Sequence, residues 1–204
     1  FEKLGIDTMK VLDAAKRKYN FQVHYPGSGV GGPCLPINSY QLLNSARRVG
    51  VKLSMIESGR KINENMPDHV VELTSSAFKE SNNSLQNSDI LILGVSYKPN
   101  VKDIQLSPAE KIISKLQNLG TNVHIYDPYF SSDTVFGIKV EDNLDDILPK
   151  MDAAIIVTDH DDFKNIKISS FTKMKNPILI DTRGIIDPSS AKLEKVIFRG
   201  LGRG

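Results

Sequence analysis

Cys34 is the only cysteine among 204 residues. It ends a loop rich in glycine, Pro26-Gly27-Ser28-Gly29-Val30-Gly31-Gly32-Pro33, and stands just ahead of a segment with helical periodicity. Glycines let a backbone come close to whatever it binds and take positive φ. A thiol just before a helix meets the positive end of the helix dipole, which favours the thiolate, the reactive form. A lone cysteine in such a loop is therefore a candidate nucleophile. The alternative is a buried structural thiol, because free cysteine is among the most buried residue types.

The flanks extend the pattern. Tyr25-Pro26-Gly27-Ser28-Gly29-Val30-Gly31-Gly32-Pro33-Cys34-Leu35-Pro36 resembles the catalytic-cysteine motif of the UDP-glucose/GDP-mannose dehydrogenase family. Ile92-Leu93-Gly94-Val95-Ser96-Tyr97-Lys98-Pro99-Asn100, followed by Asp103, Ser107 and Pro108, resembles the start of that family's nucleotide-sugar domain. Tyr126-Asp127-Pro128 and Asp181-Thr182-Arg183-Gly184 fall where the family has similar short motifs. The resemblance implies an enzyme that oxidises the C6 alcohol of a nucleotide sugar to a carboxylate with two NAD+. Cys34 would first carry the aldehyde as a thiohemiacetal and then the acyl group as a thioester. The substrate would be a UDP-sugar, and the Gly-Gly-Pro-Cys form lies nearer the UDP-N-acetylhexosamine branch. The competing reading is a non-catalytic nucleotide-sugar-binding or dimerisation module.

Residue roles follow from the resemblance one at a time. Tyr25, Gly27, Gly29, Gly31 and Gly32 would lie against the sugar, and Tyr97, Lys98 and Asp103 would also contact the substrate. Lys98 follows a buried strand, and ligands of doubly wound sheets bind beyond the carboxyl ends of strands. Asp103 serves equally well as a turn cap. Arg183 matches an arginine near the family's active site and is assigned to the cofactor, with a surface ion pair as its alternative. Two positions depart from the family. Asn38 replaces an aspartate: an amide can orient water but cannot act as a general base. It suits a helix cap equally well. Gln105 replaces an arginine that reaches towards the cofactor. Asp127 ends a strand, where an acid often holds ribose hydroxyls, or else forms the turn before Pro128.

Other constellations carry less. Gly27, Gly29 and Gly32 fit G-x-G-x-x-G literally, but no buried strand precedes them and Pro33 would break the helix that the dinucleotide fingerprint requires. His24, His69, His124 and His160 show no metal-ligand spacing, so no metal is expected. Lys16, Arg17 and Lys18 form a small basic cluster; the resemblance implies an arginine in about this region that reaches a neighbouring subunit's active site, and the alternative is a solvated helix face.

Bulk properties set the frame. Hydrophobic residues make up 40% and charged residues 25%, as in ordinary globular chains. A formal net charge of +2 gives no field that would recruit nucleic acid or a membrane surface. A single cysteine suits a reducing compartment, and the expected location is the cytoplasm. Residues 1–5 do not form a signal peptide, and their helix-like phase suggests a fragment of a longer protein. In the resemblance, the Rossmann domain that holds most of the NAD lies in the part missing from this chain. The fragment alone is expected to be inactive.

The elements that must hold these residues read as α/β. Periodicity predicts short helices within 1–20 and a helix opening at Asn38 or Ser39 and stopped by Gly50. More helix follows over 51–80, started or kinked at Pro67. The polar stretch 81–88 marks a boundary between a central helical segment, 1–84, and a Rossmann-like sheet domain, 85–204. In the latter, the apolar run 90–95 reads as a strand buried on both faces. A helix over about 107–119 follows, then strands at 122–126, 138–140, 153–158 and 178–181 with short helices near 144–148 and 161–166. Residues 196–201 read as a late strand or a surface segment. This alternation predicts a doubly wound parallel sheet. The apolar faces of 39–80 predict a homodimer through the central helices.

Overall fold

A computed structural model describes residues 1–203. A 3-10 turn at Glu2–Leu4 ends at Gly5, and helix α1 follows over Thr8–Ala15. Asp7 caps α1, its carboxylate accepting from the Met9 N–H. The glycine loop then leads into α2, Leu35–Arg48, and α3, Ser54–Glu80. Helix α2 starts earlier than its apolar spacing suggests. Cys34 is its N-cap and Pro36 stands in its first turn, where a missing N–H costs nothing. Asn38 therefore lies inside the first turn and does not cap the helix. Its N–H donates to the Cys34 carbonyl at 2.8 Å.

The remaining chain alternates as expected. The order is β1 (Asp89–Leu93), α4 (Pro108–Asn118), β2 (Asn122–Tyr126), a small antiparallel pair β3 (Thr134–Val135) and β4 (Ile138–Lys139), α5 (Leu144–Ile147), β5 (Ala153–Ile156), α6 (Asp161–Lys164), α7 (Ile168–Phe171), β6 (Ile178–Asp181), α8 (Pro188–Leu193) and β7 (Ile197–Gly200). Residues 196–201 thus supply a true strand. Helices α7 and α8 and strand β3 had no clear periodic signal, because two to six residues are too few to show one. The main sheet is parallel with order β2-β1-β5-β6-β7.

Strand alternation divides the core between the two faces. Ile90 and Ile92 point one way with Ile155, Ile178 and Ile180. They pack under Val70, Val71 and Phe78 of α3 and Ile112, Ile113 and Leu116 of α4. Leu91, Leu93, Ala154, Ile156 and Leu179 point the other way, onto Leu148, Phe163, Phe171 and Ala191. Both faces are covered, which explains why the strands read as continuous apolar runs. Helix α3 plays two parts. Its second half lies on the sheet, while its first half carries α2 and the glycine loop.

The chain order reverses between β1 and β5. At such a switch point the loops beyond the carboxyl ends diverge and leave a crevice for a ligand. The two loops here are residues 94–103 and 157–161.

Candidate active site

Pro67 lies inside α3 and has no N–H to give to the Asn63 carbonyl one turn earlier. The glycine loop passes beside that carbonyl. The Asn63 side chain binds the loop in both directions: its Oδ1 accepts from the Val30 N–H at 2.8 Å, and its Nδ2 donates to the Val30 carbonyl at 3.4 Å. Asn63 escaped the sequence reading because nothing in a helical repeat singles out one polar residue facing a loop 33 positions away.

The glycines have identifiable neighbours. A Cβ at Gly32, where φ is +87°, would stand 2.7 Å from the Tyr97 ring. The Gly32 N–H donates to the Gln105 carbonyl at 2.9 Å. A side chain on Gly31 would overlap the Leu106 carbonyl, and Leu106 itself has a left-handed φ of +52°. A Cβ at Gly29 would meet Pro108 at 3.3 Å, and one at Gly27 would overlap the Arg183 guanidinium. Close approach is therefore the reason for the glycines, and the partner is the protein's own 97–108 loop together with Arg183. The loop presses the cysteine segment onto the sheet domain.

Cys34 and Tyr25 are exposed, with Tyr25 at 48%. Cys34 and Asn38 share one face of the first helical turn, four residues apart. Tyr97 is a half-buried platform under Gly31 and Gly32, and the exposed Lys98 ammonium lies 5.5 Å from the centre of its ring. Asp103 forms a turn: its carboxylate accepts from the Gln105 N–H at 2.9 Å and its carbonyl from the Tyr97 N–H at 3.0 Å. The structure thus joins the glycine loop, Tyr97, Lys98, Asp103 and Arg183 around one junction beyond the strand ends.

Of the two readings of Asp127, ribose ligand and turn before Pro128, the structure shows the turn. Asp127 has no exposure, and its carboxylate accepts from the N–H groups of Val95 at 2.8 Å and Tyr129 at 2.9 Å. His160, equally buried, sits 3.2 Å from it through Nε2. The Asn100 N–H donates to His160 Nδ1 at 2.9 Å, so Nε2 carries the proton and donates to Asp127. With both oxygens committed inside the protein, Asp127 is not placed to hold a ribose. Its work is to shape the 94–103 loop.

The turn after β5 is the hub. Thr158 Oγ1 donates to the Ser96 carbonyl at 2.6 Å, and Gly94, at φ +84°, leaves the room this approach needs. Asp161 joins Asn100 through two hydrogen bonds. Lys164, then Asn100, holds the Asp161 carboxyl below its ordinary range. Asp159 accepts from Arg183 Nε at 2.8 Å. Asp181 is buried at the end of β6, and burial pushes its carboxyl upward against the pull of the N–H groups of Ile186, Arg183 and Gly184.

Residues 1–65 match the central-domain model of the UDP-glucose/GDP-mannose dehydrogenase family, and residues 91–188 match its UDP-binding-domain model. The chain belongs to the UDP-glucose/GDP-mannose dehydrogenase family. It is 34% identical to a UDP-N-acetyl-D-mannosamine dehydrogenase of Pyrococcus horikoshii, over 98% of this chain and 45% of that protein. A UDP-glucose 6-dehydrogenase of Bacillus subtilis is 29% identical over 99% of this chain and 44% of its own length. Among solved structures, the Pyrococcus horikoshii UDP-D-ManNAc dehydrogenase superposes with a TM-score of 0.87 at 33% identity, covering 99% of this chain and 46% of that one. An NDP-N-acetyl-D-galactosaminuronic acid dehydrogenase of Methanosarcina mazei gives 0.90 at 25% identity, covering 99% and 45%. The chain thus spans less than half the length of these dehydrogenases, across their central and UDP-binding parts.

Proposed function

We propose that this chain is the C-terminal portion of an NAD-dependent nucleotide-sugar 6-dehydrogenase acting on a UDP-sugar of the N-acetylhexosamine type. Residues 1–84 form its helical dimerisation segment with the cysteine loop, and residues 85–204 its UDP-sugar domain. The observation that carries the reading is the exposed Cys34 at the positive end of α2, at the end of a glycine loop whose Gly31 and Gly32 pack on Tyr97 beside the sheet's switch point. The working compartment in this reading is the cytoplasm, where a lone thiol stays reduced.

NAD, when bound, accepts hydride. This chain contributes Arg183, whose Nε is engaged by Asp159 while its Nη groups make no hydrogen bond among the described residues and would meet phosphate oxygens. Most of the cofactor's binding lies outside these residues. The glycine loop has no preceding strand, as a dinucleotide fingerprint would need, and Gln105 offers an amide where relatives have a guanidinium.

The remaining chemistry belongs to the side chains here. Loss of hydride and the hydroxyl proton converts the C6 alcohol to an aldehyde. The Cys34 thiolate forms a C–S bond to that carbon, and the oxygen takes a proton, giving a thiohemiacetal. Loss of a second hydride and the hydroxyl proton leaves a thioester. Water then adds, the C–S bond breaks, and carboxylate and thiol result. Asn38, on the same face as Cys34, orients the water, while the proton goes to a base other than this amide. Lys98 and Tyr97 face the nucleotide sugar.

The test uses the full-length protein carrying this chain with a panel of UDP-sugars. Two NADH per sugar are expected, and Cys34→Ser should stall before the carboxylate. UDP-sugar binding with no NADH from any sugar would leave the second reading, a binding module, which Asn38 and Gln105 favour.

A further inference from the structure

Arg183 carries five N–H donors on a flexible stem, and a guanidinium of this kind recognises a diphosphate only if its plane is fixed beforehand. Three features fix it. The backbone around it is pinned by Asp181, whose carboxylate accepts the Arg183 and Gly184 N–H groups at 2.9 and 2.8 Å. Its Nη1 edge lies where a side chain at residue 27 would otherwise be. Its Nε donates to Asp159 at 2.8 Å, and the pair is largely shielded, with side-chain exposures of 27% for Arg183 and 19% for Asp159. Asp159 is itself held between two committed residues, Thr158 on the Ser96 carbonyl and His160 on Asn100 and Asp127.

We propose that Asp159 is a positioning residue which aims Arg183 at the diphosphate of a bound nucleotide. This rests on the nucleotide-sugar reading above. The geometry favours positioning over simple charge pairing. Asp159 takes the Nε–H while Nη1 lies beside Gly27 of the glycine loop, so the acid orients the guanidinium through Nε and leaves the Nη groups uncovered by the carboxylate. Asp159 also stands in the same turn that clamps the 94–103 loop. One four-residue segment, 158–161, therefore sets the relative placement of Arg183 and of Tyr97 and Lys98. Sequence reading passed over it because an exposed-looking Thr-Asp-His-Asp turn after a strand has no pattern of its own.

The diphosphate could belong to the nucleotide sugar or to the dinucleotide, so the full-length protein carrying this chain is titrated calorimetrically with UDP and separately with NAD+. Arg183→Ala identifies which ligand the guanidinium holds. Asp159→Ala should weaken that same ligand about tenfold, the factor carried by one hydrogen bond to a charged group. Asp159→Asn keeps an oxygen acceptor for Nε and should bind within about twofold of wild type, which a purely electrostatic role would not allow. In the Arg183→Ala background, Asp159→Ala should add nothing further. The proposal fails if Asp159→Ala leaves affinity unchanged, or if it weakens binding equally with and without Arg183. It also fails if Asp159→Asn behaves like Asp159→Ala while melting as wild type does. A wild-type full-length protein that binds neither ligand would overturn the nucleotide-sugar reading itself, a result distinct from all three.

Discussion

At Gly32 a single methyl group would meet the Tyr97 ring at 2.7 Å, on a backbone whose φ of +87° an L side chain rarely adopts. Both penalties fall on the peptide two residues before Cys34. Gly32→Ala should cost about 1–3 kcal/mol, the usual range for a strained backbone position, and should move the cysteine loop off the sheet domain. Denaturant unfolding measures the first effect, and hydrogen exchange at the Gly32 N–H, now bonded to the Gln105 carbonyl, measures the second. Unchanged exchange in a destabilised variant would refute the account of the loop as a clamp. Gly5 and Gly50 also have positive φ but face open space, so they discriminate between a packing role and a turn role.

Among the elements, β1 is held at its start by charge as well as by its neighbours. Asp89 accepts from Lys175 at 2.7 Å and from Asn122 of β2 at 3.2 Å. Lys175, more than any other group, draws the Asp89 carboxyl below its ordinary 3.8. A lowered folded-state value means that the unfolded chain takes up this proton first as pH falls. The stabilisation is therefore complete above 3.8 and disappears as pH drops through the lowered value. Asp89→Asn should be less stable than wild type at neutral pH, and the gap should close in acid. Urea midpoints for both proteins between pH 7 and strong acid check this, and a constant gap would sink it. Asp181 opposes the trend. Its raised carboxyl favours the folded state below 3.8 and withdraws that support as pH climbs through the raised value.

For the molecule as a whole, α1, α2 and the first half of α3 leave large apolar side chains in solvent. Met55 is 88% exposed, Val49 75% and Ile62 65%. Isolated exposed apolar residues are ordinary, but a run of them along neighbouring helices is the surface that association covers. The chain is expected to sediment as a dimer, and Met55→Glu with Ile62→Glu should yield a folded monomer with unchanged far-ultraviolet circular dichroism. A monomeric wild type would refute the assignment of this face. No helix among the described residues is long and apolar enough to cross a membrane.

By itself the sequence determined the fold class, the order of the longer elements and the identity of the family. Apolar runs of four or five residues flanked by helical repeats leave few folds open, and Cys34 with its glycines is a local signal complete within a dozen residues. Local patterns left Asp127 between ribose ligand and turn, and Asn38 between orienting water and capping the helix; the ribose and cap alternatives do not match the structure, for one reason. A strand-end acid or a helix-start amide reads the same whether it faces solvent, ligand or another loop. Tertiary structure alone decided which partner each polar group meets. It buried Asp127 beneath Val95 and His160, tied Asn63 to Val30 across 33 residues, and joined Asp159 to Arg183 from the turns after separate strands. Such pairs are invisible in one dimension, because a hydrogen bond depends on where the fold brings donor and acceptor together and their spacing in sequence carries no record of it.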